Sequence, residues 1–186
     1  MDEENSDLIP QGFHGDFTVF ALVPFELYRL RGDMRFYMLE LKMVDEQWKD
    51  PNPEDGLIWQ ARWWIDDVYM IASVDALATR ITGDQTYVYN AALLIHAYCS
   101  KLQHDNGLLP HTENVPYYWG RGVGWVAAGM TEALTEKINE NVEISDVCVG
   151  TNEMEGAEAY LQRTRRTGDF HGQAPVLWCA NALMRK

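Results

Sequence analysis

The chain has 186 residues, 47% of them hydrophobic and 23% charged, which places it in the globular class and makes a single domain with one core the default. Its 15 lysines and arginines face 28 acidic residues, and the net charge of −13 argues against nucleic acid or an anionic membrane as a partner. No run of about 18 apolar residues occurs, and the start MDEENSDLIPQGF has neither a basic nor an apolar region, so no membrane span and no signal peptide are expected and the chain as written reads as cytoplasmic.

The first predicted element covers residues 17–29, where Phe17, Phe20, Ala21, Pro24, Leu27 and Tyr28 recur at the spacing of one buried helical face, with a kink implied at Pro24. A second helix carries Phe36, Leu39, Leu41, Met43, Val44 and Trp48, and the loop KDPNPEDG ends it. Helical periodicity resumes over 63–82 and 87–102, breaks at HDNGLLPHTENVPYYWGRG, and returns over 123–138 and 174–184. Nothing alternates with period two, so an all-α chain without a sheet is expected.

The junctions between helices repeat. RLRGDMRFY, from Arg29, matches RITGDQTYV, from Arg80, in its Arg, Gly, Asp and aromatic positions. Gly32 and Gly83 are placed to end one helix in the left-handed conformation, and Asp33 and Asp84 to cap the next. A period of about 50 residues means stacked helical hairpins, and six such units would need roughly 300 residues. At 186 residues the chain is too short to close a six-unit ring and is expected to be incomplete.

Chemistry concentrates in two stretches. RWWIDDVYM puts Asp66 and Asp67 at an aromatic helix start, pointing about 100° apart, so only one of them can readily line a given cavity. Burial beside Trp63 or Trp64, with a like charge adjacent, raises a carboxyl pKa as a general acid requires; capping the helix is the plainer use of the same residues. In YYWGRGVGWVAAG, Arg121 sits between Trp119 and Trp125 just before a helix, where flat indoles and a guanidinium suit a sugar acid. A dinucleotide loop is the rival reading of the glycines, but no strand precedes them. The aromatics cluster, as at Trp59, Trp63 and Trp64 and at Tyr117, Tyr118, Trp119 and Trp125, which suits either a stacking surface or ordinary core filling. With so negative a chain, an acidic ligand requires a local positive patch.

The five histidines show no paired ligand spacing, and three widely spaced cysteines, Cys99, Cys148 and Cys179, fit neither a zinc site nor a disulfide framework, so no metal is implied and buried free thiols are expected. His111 and His171 suit a structural role as well as a catalytic one.

Taken in order, RWWIDDVYM, the GLLPH loop, WGRGVGW, VCVGT and GDFHGQAPVLW resemble the unsaturated rhamnogalacturonyl hydrolases, glycoside hydrolase family 105, related to the family 88 unsaturated glucuronyl hydrolases. The likeness runs from DFTVFALVPFELY through Trp178, interrupted between Glu136 and Val147. It implies an (α/α)6 toroid that needs no cofactor and takes an unsaturated acidic oligosaccharide as its partner. The expected reaction releases 4,5-unsaturated galacturonic acid from pectin-derived rhamnogalacturonan: an aspartate protonates the vinyl ether double bond at C4, water adds at C5, and the hemiketal rearranges with loss of the sugar. By motif position Asp66 is the proton donor, Asp16 of HGDFTVF is a second acid facing the site, and Trp64, His111, Arg121 and Trp125 surround the substrate.

Two departures from the family follow from the same comparison. Where the family has about two further hairpins, only EKINENVEISD joins the WGRG helix to VCVGT, so residues 1–186 are expected to form one partial toroid domain with an internal deletion near 137–146, and some material before Met1 is expected to be missing as well. Val123 also stands where the family commonly has Asn. Two other readings remain alongside: an inactive, shortened relative that binds sugars, and a glucuronyl hydrolase acting on glycosaminoglycan fragments.

Overall fold

A computed structural model of the chain describes residues 15–118, 120–148, 162, 164–169 and 173. The chain divides into two compact units, Met1–Glu136 and Lys137–Lys186.

The first unit is helical. Its chain enters through α1 (Gly15–Thr18), a 3₁₀ turn (Val19–Ala21) and α2 (Leu22–Arg31). The irregularity expected at Pro24 therefore lies one turn upstream: proline has no N–H to give the Phe20 carbonyl, and its ring crowds that carbonyl, so the turn there tightens. Two repeated junctions follow. Gly32, at φ 67°, ends α2, and the Asp33 carboxylate accepts the Arg35 N–H to start α3 (Met34–Trp48). Gly83, at φ 77°, ends α4 (Asp67–Thr82), and Asp84 accepts the Thr86 N–H to start α5 (Gln85–Leu102). Each junction is a left-handed stop followed by an Asp cap, which folds consecutive helices back on each other.

The centre of this unit is α4. It is buried on nearly every side, from Ile71 to Thr79 without interruption, as expected of a helix packed on all faces. On one side Phe25 of α2 and Val44 of α3 meet Val74, Leu77 and Ala78. On the other, Val68 and Ile71 meet Leu94 and Tyr98 of α5 and Val126 of α6 (Gly120–Thr135). The α6 face that reaches α4 is cut down to Gly122, Val126, Gly129 and Ala133, and a side chain on Gly129 would meet the Val68 carbonyl oxygen at 2.7 Å.

Three further expectations for this unit need correction. The chain does contain strands: β1 (Pro110–Thr112) pairs antiparallel with β2 (Val115–Tyr118), inside the stretch read as a break. Strands this short carry no readable period, and two prolines bar a helix there. Next, the helix expected over 63–82 begins only at Asp67, because Trp63 adopts φ 64° and the Asp67 carboxylate draws the Arg62 and Trp64 N–H groups into a turn. Finally, α6 already includes Gly120, Arg121 and Gly122, so the glycines lie within the helix rather than before it.

In the second unit, β3 (Val147–Cys148) pairs with β4 (Arg165–Arg166), and Ile138, expected to be helical, bridges Ile144 instead. The predicted helix over 174–184 lies outside the described residues, as do His14, Trp119, His171 and Cys179. Cys99 is a half-buried free thiol. No helix among the described residues is long and apolar enough to cross a membrane.

Candidate active site

The first turn of α4 decides which of the two adjacent acids faces a cavity. Asp67 is fully buried and is consumed by structure. Its carboxylate accepts from Arg62 N, Nε and Nη2 at 2.8, 3.0 and 2.6 Å, from Tyr98 Oη at 2.8 Å and from Trp64 N at 3.3 Å. One residue earlier on the helix, Asp66 points elsewhere. It occupies the N-cap position but its side chain makes no capping bond, so the plainer use of this acid is not the one the fold makes of it.

Asp66 instead lines a cavity of about 570 Å³ together with Asp16, Trp64, Met70, His111, Arg121 and Trp125. Each wall has its own element. Asp16 comes from α1, Trp64 and Asp66 from the turn into α4, Met70 from the next turn of α4, His111 from β1, and Arg121 and Trp125 from the first turns of α6. The hairpin is fastened by Ile65 N, which donates to the His111 carbonyl at 3.1 Å, and α1 by Thr18, whose hydroxyl lies 2.7 Å from the Met70 carbonyl.

The walls are aromatic and cationic. The His111 ring lies 5.0 Å from the Trp64 ring at 57°, and Tyr69 lies 4.7 Å from Trp125. His111 Nε2 is 3.7 Å from Asp66 Oδ2. Burial pushes the Asp66 pKa up, and the Asp67 carboxylate adds to that rise; a backbone hydrogen bond and the charges of His111 and Arg121 oppose it without cancelling it. A carboxyl that holds its proton longer than usual, set between flat apolar walls and a guanidinium, can protonate a ligand that brings a ring and an anionic group.

All six residues singled out in the sequence meet in this one cavity. Two others escaped notice. Met70 is four residues beyond Asp66, so helical spacing alone would have put it on the same face. Arg62 does not line the cavity, yet its Nη2 lies 3.1 Å from Asp16 Oδ1 and its guanidinium 4.7 Å from the Trp64 ring centre. Its position in RWWIDDVYM was visible, but a partner 46 residues away was not. Among the described residues no three His, Cys, Asp or Glu side chains converge as metal ligands would.

Comparison with known proteins gives a family and a fold. The model of the family described as Glycosyl Hydrolase Family 88 matches residues 3–143. No curated protein matches the chain. Among solved structures, a polysaccharide lyase is 19% identical with a TM-score of 0.57, over 88% of this chain and 46% of its own. A family 105 glycoside hydrolase of C. acetobutylicum is 18% identical at 0.56, over 66% and 40%. A family 88 glycosyl hydrolase from Bacteroides vulgatus is 19% identical at 0.57, over 94% and 48%. The architecture is thus that of the all-α toroid of these proteins, and the chain spans less than half the length of each.

Proposed function

The chain belongs to glycosyl hydrolase family 88, and from that premise we propose that its cavity removes 4,5-unsaturated galacturonic acid from rhamnogalacturonan oligosaccharides. The observation that carries this reading is Asp66, a nearly buried carboxyl with a raised pKa facing a cavity walled by indoles and Arg121. Asp66 delivers its proton to C4 of the vinyl ether, water adds at C5 and returns a proton to the Asp66 carboxylate, and the hemiketal opens to free the leaving sugar. Arg121 holds the uronate carboxylate, Trp64 and Trp125 flank the ring, and Asp16 and His111 meet its polar edge. Neither a cofactor nor a metal takes part in this scheme, and the substrate is the only partner it requires.

The experiment follows the ultraviolet absorbance of the double bond in an unsaturated rhamnogalacturonan disaccharide. Asp66→Asn, which keeps shape and polarity, should lower the rate by about 10²-fold or more while ligand binding persists. A near-normal rate for Asp66→Asn would remove Asp66 from its role. The family that matches, tied by its resemblance to unsaturated glucuronyl hydrolases, favours one second reading: the same chemistry on glycosaminoglycan fragments. Faster turnover of an unsaturated glucuronyl disaccharide than of the rhamnose-linked one would select it.

A further inference from the structure

We propose that Arg62 is a positioning residue for two walls of the cavity, with one guanidinium fixing the Asp16 carboxylate and backing the Trp64 ring while itself moored on buried Asp67. The proposal rests on the reading of the cavity as a uronate-hydrolysing site.

Asp16 is held from outside its own short element. Its side chain is 55% exposed, it stands on a helix of four residues, and Arg62 Nη2 lies 3.1 Å from its Oδ1. Arg62 supplies that hold from a rigid base, being only 14% exposed and bound through Nε and Nη2 to a carboxylate with no exposure at all. The base is braced in turn. The Tyr98 hydroxyl donates to Asp67 and accepts the Trp63 N–H at 2.9 Å, and the Trp63 ring stacks on Tyr98 at 4.9 Å with Trp63 in the strained left-handed region at φ 64°. Strain of this kind persists where surrounding contacts over-determine it, and here the strained residue directly precedes Trp64.

Gly15 is an independent sign that the arrangement is built. A Cβ there would collide with the Asp67 carboxylate and come within 3.3 Å of Arg62 Nη2, so only glycine lets α1 bring Asp16 onto the pair. A guanidinium suits the task as an ammonium does not. Its planar fork can bind Asp67 along one edge, spend a further N–H on Asp16, and lay its face toward an indole.

The test compares Arg62→Met and Arg62→Lys in the full chain by kcat, KM and melting temperature. Because Arg62 acts through Asp16 and Trp64, kcat of the folded protein should fall about 10- to 100-fold in both variants. KM should move less than about 3-fold, since uniform binding of the uronate is left to Arg121. Lysine keeps the charge beside Asp67 and so keeps the fold if methionine does not, but it should not restore kcat. A folded Arg62→Lys with kcat within about 3-fold of the parent would overturn the proposal, as would a change in KM alone, which would mean direct ligand contact. Should the parent chain not turn over either disaccharide, the functional reading fails separately. The positioning claim is then read from the Trp64 indole resonance, assigned with Trp64→Phe: a shift in Arg62→Lys supports it and an unmoved resonance overturns it.

Discussion

Asp66 and Asp67 are neighbours in sequence with different surroundings. Asp67 accepts hydrogen bonds from Arg62 and Tyr98 in a fully buried site, and Asp67→Asn would point an amide at those donors. It should cost about 3–5 kcal/mol of stability, read by denaturant unfolding, because it leaves the largely buried Arg62 guanidinium with only the exposed Asp16 carboxylate as a counterion. Asp66 is shifted by its burial. Its folded pKa is raised, so its favourable contribution is complete at pH values below its unfolded pKa and declines as pH rises toward the folded one. Asp66→Asn should therefore melt slightly higher than the parent at neutral pH while losing activity, and a lower melting temperature would contradict this assignment. Glu40 shows the same sign more strongly. It is completely buried without a hydrogen-bond partner among the described residues, and burial pushes its pKa from 4.5 to about 9. The stability it contributes as a neutral acid is lost as pH rises between those two values. Glu40→Met should raise the melting temperature by several degrees at pH 8, by an amount that shrinks toward zero at pH 4. Equal gains at both pH values would show that packing and not ionisation is responsible.

At the scale of elements, the cavity exists because α6 lies close against α4, bringing Arg121 and Trp125 toward Asp66. Gly129 permits that approach, since any Cβ would press on the Val68 carbonyl at 2.7 Å and the Tyr69 Cα at 3.0 Å, backbone atoms that have no rotamer through which to retreat. Gly129→Ala should cost about 1–3 kcal/mol and weaken substrate binding as α6 moves off. Gly124, in the same helix with nothing within 4 Å of its would-be Cβ, is the control. There alanine should stabilise by up to about 1 kcal/mol, because glycine inside a helix carries excess backbone entropy. Destabilisation of equal size at both positions would refute close packing as the cause.

For the molecule as a whole, the long-range field opposes the proposed ligand. A protein of net charge −13 repels a uronate until it comes close to Arg121. Raising the ionic strength from about 10 mM to 150 mM shortens the screening length from roughly 30 Å to 8 Å, which weakens the global repulsion more than the short contact with Arg121. The association rate of an unsaturated uronic disaccharide should thus rise with salt, as followed by stopped-flow quenching of tryptophan fluorescence. A steep fall with salt would mean that a positive field steers the ligand. Arg121→Ala should abolish binding or raise KM at any ionic strength.

The helical hairpins and their punctuation are legible in the sequence alone. Gly32, Asp33, Gly83 and Asp84 act within a few residues of themselves, through left-handed φ and side-chain caps, so their effect can be read locally. The sequence also marked six of the seven residues that meet in the cavity, since aromatic, acidic and cationic groups stood together in short motifs and resembled those of a known family. The β1–β2 hairpin, the late start of α4 and the division of labour between Asp66 and Asp67 were decided only by tertiary structure. The hairpin strands are too short to show a period, while the other two depend on partners distant in sequence: Trp63 on Tyr98 across 35 residues, Tyr98 on Asp67 across 31 and Asp16 on Arg62 across 46. A buried carboxylate takes whichever donors the fold brings to it, and those donors, unlike a helix cap, are chosen by how separate helices pack.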